Sequence, residues 1–215
     1  MQSANPAATE SAKIAALFVE TGGCYFGLPN VDPWDEPRDA RKYDGPWRII
    51  AHPPCARWGR YWSGAPMFPG RYKKGDDGGC FASALQSVRT YGGILEHPEG
   101  SAAWDHFGLT KPPRAGGWVY ADFDGGWTCC VEQGAYGHRA RKATWLYAHG
   151  IDVRPLAWGK APGDFVRLDD GYHSPEDRRR AVKLGACQRL SHRQRAATPI
   201  AFRDLLINLV SRAAA

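Results

Sequence analysis

The sequence lacks the patterns by which several protein classes are recognised. It has six cysteines but no Cys-x-x-Cys pair, so neither a zinc finger nor a thioredoxin-type redox pair is indicated. It has no apolar run of about 18 residues and no secretory signal pattern, so neither a membrane span nor export is indicated. We therefore expect a reduced, cytoplasmic protein that holds no metal and does not enter a membrane.

The 215 residues also show no internal repeat and no linker that would divide the chain into two large domains. We expect a small, polar, disordered leader over 1–12 and an α/β domain over 13–150. A small basic segment would follow over 151–197. The chain would close with a helix over 198–215 that packs back on the α/β domain.

Short apolar runs bounded by turn residues predict buried strands at 14–19, 47–51, 93–95, 118–121 and 143–148. Apolar residues at 81, 84, 85 and 88 have the spacing of an amphipathic helix that ends at Gly92. A second helix is predicted after Thr198, with Thr198 as its cap and Pro199 at its first position. Strand, helix, strand predicts a Rossmann-like, mostly parallel sheet with flanking helices.

A single thiol stands out at the end of the second apolar run, in the tetrapeptide His52-Pro53-Pro54-Cys55. The two prolines restrict the backbone, so Cys55 is presented from a stiff, extended segment. A cysteine attacks as its thiolate, and the nearby cations His52, Arg57 and Arg60 are expected to lower its pKa. The alternative is a buried, inert cysteine at a strand end.

The net charge is +6 at pH 7, and the charge is uneven along the chain. The segment from 178 to 195 is rich in lysine and arginine and contains no acidic residue, which predicts contacts with phosphate backbones. A solvated helix face is the alternative. The cations expected to bind nucleic acid are Arg57, Arg60, Arg139, Arg178, Arg179, Arg180, Lys183, Arg189, Arg193 and Arg195.

Four segments, in order, resemble motifs of the DNA cytosine-C5 methyltransferase family. Residues 17–23 resemble its first motif, a strand followed by a glycine-rich loop, and Pro54-Cys55 resembles its nucleophile motif. Glu96-His97-Pro98 resembles its Glu-Asn-Val motif, and residues 136–144 are similar to the Tyr-Gly segment that leads into its Gln-x-Arg-x-Arg motif. The closing helix after Thr198 resembles the last motif. The same segments resemble a group of uncharacterised phage-borne proteins.

The resemblance implies a DNA-modifying enzyme in which Cys55 adds to C6 of cytosine or another pyrimidine while Glu96 hydrogen-bonds the N3 edge. Arg141 and Lys142 would complete the catalytic site. DNA would be the partner, with the target base turned out of the duplex. S-adenosylmethionine would be the cofactor, in contact with Phe18, Glu20, Gly22, Gly23, Asp32 and Trp34.

Departures from the family motifs keep other interpretations open. Glu20 stands where the family loop has its first glycine. Only eight residues separate Gly23 from Asp32, too few for a crossover helix and a second strand, which predicts a sheet truncated at its cofactor-binding front. The Gln, Arg and Arg of the later motif are replaced by Ala140, Lys142 and Thr144. The alternatives are a pyrimidine C5-modifying enzyme with a different one-carbon donor or a nucleotide substrate, and a non-catalytic DNA-binding protein of the same fold.

Overall fold

The computed structural model describes residues 13–59, 62–63, 70–166, 176, 179 and 190–212. Its strands are β1 (Ile14–Leu17), β2 (Val31–Trp34), β3 (Arg48–Ala51), β4 (Gly93–Pro98), β5 (Val119–Tyr120), β6 (Trp127–Glu132) and β7 (Ala143–His149). Its helices include α1 (Cys80–Tyr91), α2 (Ala102–His106), α3 (His192–Ala196) and α4 (Ile200–Val210). Short 3-10 helices occupy Ala40–Lys42 and Gln133–Tyr136.

The described strands form one sheet in the order β2, β1, β3, β4, β7, β6, β5. The strands β2, β1, β3 and β4 are parallel to one another, whereas the pairs β4–β7, β7–β6 and β6–β5 are antiparallel. The predicted α/β class, with a Rossmann-like sheet and flanking helices, is confirmed, although the sheet is mixed rather than parallel across its full width. The antiparallel pairing of β6 with β7 follows from the short connection over 133–142, which cannot hold a crossover helix.

The sheet has a switch point between β1 and β3. From β1 the chain moves to β2 on one side, whereas β3 and β4 lie on the other side. Leu17 and Ala51 pair at the ends of β1 and β3, and the His52 N–H donates to the Leu17 carbonyl at 3.0 Å, which ties the two ends together. In open α/β sheets, ligands bind outside the carboxyl ends of the strands at such a point.

Helices cover both faces of the sheet. On one face α1 packs against β3 and β4, and Ile49 and Leu95 point toward it. On the other face α4 packs against the same two strands, and Ile50 and Ile94 point toward it. Side chains alternate along a strand, and Leu95 faces α1. Glu96 therefore lies on the α4 face, and His97 lies on the α1 face.

Most predicted elements are confirmed: β1, β3, β4, β5, β7 and α1 lie where the apolar patterns placed them, and Gly92 ends α1 with a φ of 74°. The strand β4 continues to Pro98, three residues beyond its apolar run. The last helix begins at Ile200, because Pro199 has an extended backbone and is the cap rather than the first helical residue. Two strands were not predicted. β2 is a half-buried edge strand that contains Pro33, and β6 continues a cysteine-containing run.

The front of the sheet is short, as the spacing predicted. β1 is joined to β2 by residues 18–30, which form turns and contain no helix. β2 nevertheless pairs with β1 along its whole length, from Val31 to Trp34. Within the described ranges, no helix has the length and apolar character that a membrane crossing requires.

Candidate active site

Cys55 lies in a turn that directly follows β3, at the carboxyl edge of the sheet. Its carbonyl accepts hydrogen bonds from the N–H groups of Trp58 and Gly59, each at 3.0 Å, so the backbone around the thiol is fixed. Cys55 is exposed, whereas Pro53 two residues before it is buried. This presentation fits a nucleophile, and Cys55 is not the buried cysteine of the alternative interpretation.

Glu96 lies in β4, the strand next to β3, and is 9% exposed. His52 Nδ1 lies 2.9 Å from one carboxylate oxygen, Oε2. The amide nitrogen of Gln133 lies 3.1 Å from the other, Oε1. Each oxygen therefore accepts one hydrogen bond from the protein, and each retains a second acceptor position.

A buried tyrosine holds the other side of the His52 ring. Tyr25 Oη is 2.9 Å from His52 Nε2, and Tyr25 is 2% exposed. Burial raises the pKa of Tyr25 well above its usual value, so the hydroxyl keeps its proton. The result is a continuous chain, Tyr25 to His52 to Glu96, that links the loop after β1 to β3 and β4 across the switch point.

Gln133 fixes the carboxylate from the opposite side. Its amide nitrogen also lies 2.9 Å from Thr144 Oγ1, and the Thr144 hydroxyl donates to the Lys142 carbonyl at 3.1 Å. Both N–H bonds of the amide are therefore used, by Glu96 and Thr144. The remaining atom, Gln133 Oε1, is buried and has no hydrogen-bond partner among the described residues.

Glu96 is ionised although it is buried. Burial alone would raise the pKa of its carboxyl, but the hydrogen bond from His52 and the charge of Lys142 outweigh burial and lower that pKa to about 2. At neutral pH the carboxylate is therefore an acceptor of hydrogen bonds, not a donor.

The pKa of the Cys55 thiol is shifted in the opposite direction from that of Glu96. Loss of solvent around the sulfur raises the pKa of Cys55, and the charge of Glu96 raises it further, whereas Lys142 lowers it. The expectation that His52, Arg57 and Arg60 lower this pKa is therefore wrong as to its direction. Cys55 rests as a thiol and must lose a proton before it attacks.

Lys142 is the basic residue that acts on both reactive groups, since its charge lowers the pKa of Glu96 and of Cys55. Its backbone has a φ of 42°, unusual for a residue with a side chain. Its Nζ donates to the carbonyls of Ala196 and Ala197, each at 3.2 Å. Lys142 thereby ties the segment before α4 to the site.

The Arg141 side chain contacts the 161–163 segment, not Cys55 or Glu96, contrary to its predicted place in the catalytic site. Its guanidinium donates to the carbonyls of Ala161 and Gly163 at 3.3 Å each, and it lies 3.5 Å from the buried carboxylate of Glu132. Arg141 is therefore bound to the 161–163 segment and to Glu132, whereas Lys142 is the neighbour whose charge acts on Glu96.

Two residues expected to contact the cofactor already have partners within the chain. The Asp32 carboxylate accepts hydrogen bonds from Arg38 at 2.6 and 3.3 Å and from the Trp34 indole at 2.8 Å. The Arg38 guanidinium also covers the Trp34 ring at 4.1 Å, and Tyr43 meets that ring edge-on at 5.3 Å. Both residues are therefore held by contacts within the chain, and their contact with S-adenosylmethionine stays a prediction.

The loop after β1 has the close backbone packing that glycine permits. A Cβ on Gly23 would lie 2.8 Å from the Glu20 carbonyl, and Gly22 has a φ of +66° with open space beside it. Phe18 also has a positive φ, of 58°. Glu20 is exposed and lies 3.4 Å from Arg193 of α3. The loop after β1 is therefore shaped for close backbone approach, and its contact with a cofactor stays a prediction.

The cations predicted to bind nucleic acid are dispersed. The Arg57 guanidinium lies 3.4 Å from the Tyr72 ring centre, and Arg179 pairs with Glu176 at 2.6 Å. Arg193 and Arg195 lie on α3, close to the loop after β1 and to the 138–142 segment. Arg139 follows the second 3-10 helix, and its carbonyl accepts from the Val166 N–H. The positions outside the described residues are Arg60, Arg178, Arg180, Lys183 and Arg189.

His97 is buried beside the site, on the α1 face of the sheet. Its ring packs against Phe81 and Trp104, and burial lowers its pKa to about 4. Although the Pro54 carbonyl is near, neither ring nitrogen makes a hydrogen bond of good geometry with any residue in the described ranges. Among the described residues, no group of three or more His, Cys, Asp or Glu side chains is arranged to hold a metal ion.

Tyr25 and Gln133 were missed by the sequence reasoning. Tyr25 lies among turn residues with no periodic pattern around it. Gln133 follows β6, so recognition of the run 127–131 as a strand would have placed it at a carboxyl end, where ligand-binding residues are expected.

Comparisons of this chain with protein-family models, with curated proteins and with solved structures gave no match. The geometry around Cys55 and Glu96 therefore carries the functional argument.

Proposed function

We propose that this protein is a DNA-modifying enzyme that acts at C5 of cytosine, or of another pyrimidine, through covalent addition of Cys55 to C6. The observation that carries this proposal is the placement of an exposed cysteine in the segment that follows β3 and of a buried, ionised carboxylate in the adjacent parallel strand β4, beside the switch point of the sheet. Addition to a pyrimidine needs a nucleophile at C6 and a polar group at the N3 edge. Cys55 and Glu96 supply these two groups.

The chemistry divides one substitution into two easier steps. The electron pair of the Cys55 thiolate forms a bond to C6, the C5–C6 double bond shifts toward N3, and N3 takes up a proton. The ring then carries a nucleophilic C5, which attacks an electrophilic one-carbon donor. Loss of the C5 proton and expulsion of the thiolate restore the double bond and free the enzyme.

Glu96 selects the edge of the base. A carboxylate accepts hydrogen bonds, and the exocyclic amine of cytosine is a donor. His52 donates to one carboxylate oxygen and Gln133 to the other, so the orientation of the carboxylate is fixed. Its remaining lone pairs can accept a hydrogen bond from the base. This arrangement supports cytosine as the first substrate to test.

DNA is the proposed partner because a basic chain favours a polyanion. Inside a duplex no thiol reaches C6, so the base must leave the stack before Cys55 can add. A DNA enzyme should lose affinity steeply as salt concentration rises, whereas an enzyme for free nucleotides should not.

The donor is the open part of this proposal. S-adenosylmethionine is the donor that the motif resemblance implies, and the glycine loop after β1 supports it. The engagement of Asp32 and Trp34 by Arg38 favours the second candidate, a related enzyme with a different one-carbon donor. Calorimetric titration with S-adenosylmethionine separates the two, since the first candidate requires binding in the absence of DNA.

A trapping experiment tests the proposal. DNA that carries 5-fluorocytosine holds the enzyme covalently after carbon transfer, because fluorine at C5 cannot leave as a proton does. We expect intact-mass analysis to find an adduct with the wild type and with Cys80→Ala, a control at a half-buried thiol at the start of α1, but not with Cys55→Ala. An adduct that needs S-adenosylmethionine identifies the donor. An adduct that persists in Cys55→Ala would refute the role of this thiol.

A further inference from the structure

We propose that His52 and Tyr25 form a positioning relay behind Glu96, in which His52 supplies the proton that Glu96 passes to N3 of the base as Cys55 adds. The inference rests on the proposed function and deepens it. Its basis is geometric: His52 is hydrogen-bonded at both ring nitrogens, at 2.9 Å to Tyr25 and at 2.9 Å to Glu96.

The hydrogen-bond network fixes the tautomer of His52. Glu96 is an ionised acceptor, so His52 Nδ1 must carry the proton that lies between them. Nε2 of the neutral ring is then an acceptor, and the Tyr25 hydroxyl donates to it. A tyrosine hydroxyl can both donate and accept, so Tyr25 serves equally when Nε2 gains a proton.

The relay supplies a proton that Glu96 alone does not carry. N3 takes up a proton during addition, but the resting carboxylate has none to give. When His52 carries a second proton, its Nδ1 proton moves to Glu96, and Glu96 passes it to N3. His52 is then neutral with its proton on Nε2, facing Tyr25. The proton that Cys55 loses balances the one that N3 gains, so the adduct forms with no net change in protons.

Other charges also face this relay and belong to four different elements. Lys142, before β7, acts on Glu96, and His97 acts on it from within β4. Arg203 and Asp204 of α4 and the thiol of Cys24 act on Tyr25. None of these is hydrogen-bonded to the His52 ring, whose two nitrogens are occupied.

The test compares pH profiles for the exchange of the C5 hydrogen of cytosine with solvent, a reaction that needs addition but no carbon donor. The variant His52→Asn keeps an N–H donor toward Glu96 and cannot carry a second proton. We expect its exchange rate to fall about 10²–10⁴-fold, the contribution of a positioned acid, and its alkaline limb to disappear. His149→Asn, at the opposite end of the sheet, is the matched control and should keep the wild-type profile. An unchanged profile in His52→Asn would overturn the relay.

A second measurement needs no substrate. Nitrogen-15 NMR of histidine-labelled wild type should find neutral His52 protonated on Nδ1, and Glu96→Ala, which removes the acceptor at Nδ1, should move part of the population to the Nε2 form. A neutral His52 protonated on Nε2 in the wild type would overturn the relay even if exchange is detected. Correct tautomers together with no wild-type exchange would support the network and count against the proposed function.

Discussion

His52 and Glu96, which are 44 positions apart in the chain, meet at 2.9 Å between Nδ1 and Oε2 at the carboxyl ends of two adjacent parallel strands. This hydrogen bond exists because β3 and β4 pair in register, with Ala51 opposite Leu95, so the next residue of each strand lies side by side. It is the main reason that Glu96 stays ionised in a buried position. Three predictions follow from the charges around it.

Replacement of Glu96 by Gln should separate the reactivity of the thiol from the reaction on the base. The negative charge of Glu96 raises the pKa of Cys55, so Glu96→Gln should lower that pKa and speed alkylation by iodoacetamide at pH 7. The same change removes the carrier of the N3 proton, so C5 exchange should fall about 10²–10⁴-fold. Parallel loss of both reactivities would show that the variant has merely disturbed the site.

Replacement of Lys142 by Gln should have the opposite effect on the thiol. Lys142 is the cation that lowers the pKa of Cys55, so its removal should move the midpoint of alkylation to higher pH. Lys111→Gln is the matched control, because Lys111 is half exposed and pairs with Asp105 away from the site. A midpoint that stays fixed in Lys142→Gln would mean that this cation does not act on Cys55.

Replacement of His97 by Phe should stabilise the protein, increasingly so at acidic pH. His97 is buried and neither ring nitrogen has a hydrogen-bond partner among the described residues; an unsatisfied buried group of this kind costs about 1–3 kcal/mol. Its folded pKa, about 4, lies below the usual value of 6.5. The unfolded chain therefore binds the extra proton first, and stability is lost as pH falls from 6.5 toward 4.

Urea unfolding at pH 7.5 and at pH 5 measures this effect. We expect His97→Phe to raise the free energy of unfolding at both values and to remove part of the loss between them. Glu96 adds a separate loss at lower pH: its lowered pKa stabilises the fold above about pH 4.5, and that contribution disappears as pH falls toward 2. A lower free energy of unfolding for His97→Phe at both pH values would mean that the imidazole has a polar partner.

The sequence predicts the central strands and both reactive residues because these depend on local patterns. Apolar runs place β1, β3 and β4, and the residues that follow or end such runs, Cys55 and Glu96, fall at the ligand-binding edge of a parallel sheet. The partners of Glu96 depend instead on contacts between distant segments. Gln133 reaches Glu96 from 37 positions away because β7 inserts antiparallel between β4 and β6.

Local sequence patterns also could not show which of the neighbouring residues Arg141 and Lys142 lies near Glu96. Lys142 has a positive φ, and its charge, not that of Arg141, acts on Glu96 and Cys55. The occupation of Asp32 and Trp34 by Arg38 also depends on side-chain geometry, which spacing does not reveal. Charge sign and element type were therefore predictable, whereas the pairing of particular side chains was not.

The most direct test of the central claim is exchange of the C5 hydrogen of cytosine in deuterated water, measured by mass spectrometry on DNA incubated with enzyme and no donor. Addition of Cys55 makes C5 nucleophilic, so deuterium should enter C5 with the wild type and with Cys80→Ala, and should not enter with Cys55→Ala. Retention of the C5 hydrogen with the wild type, in duplex DNA, single-stranded DNA and free cytosine or uracil nucleotides alike, would contradict covalent pyrimidine chemistry at this site.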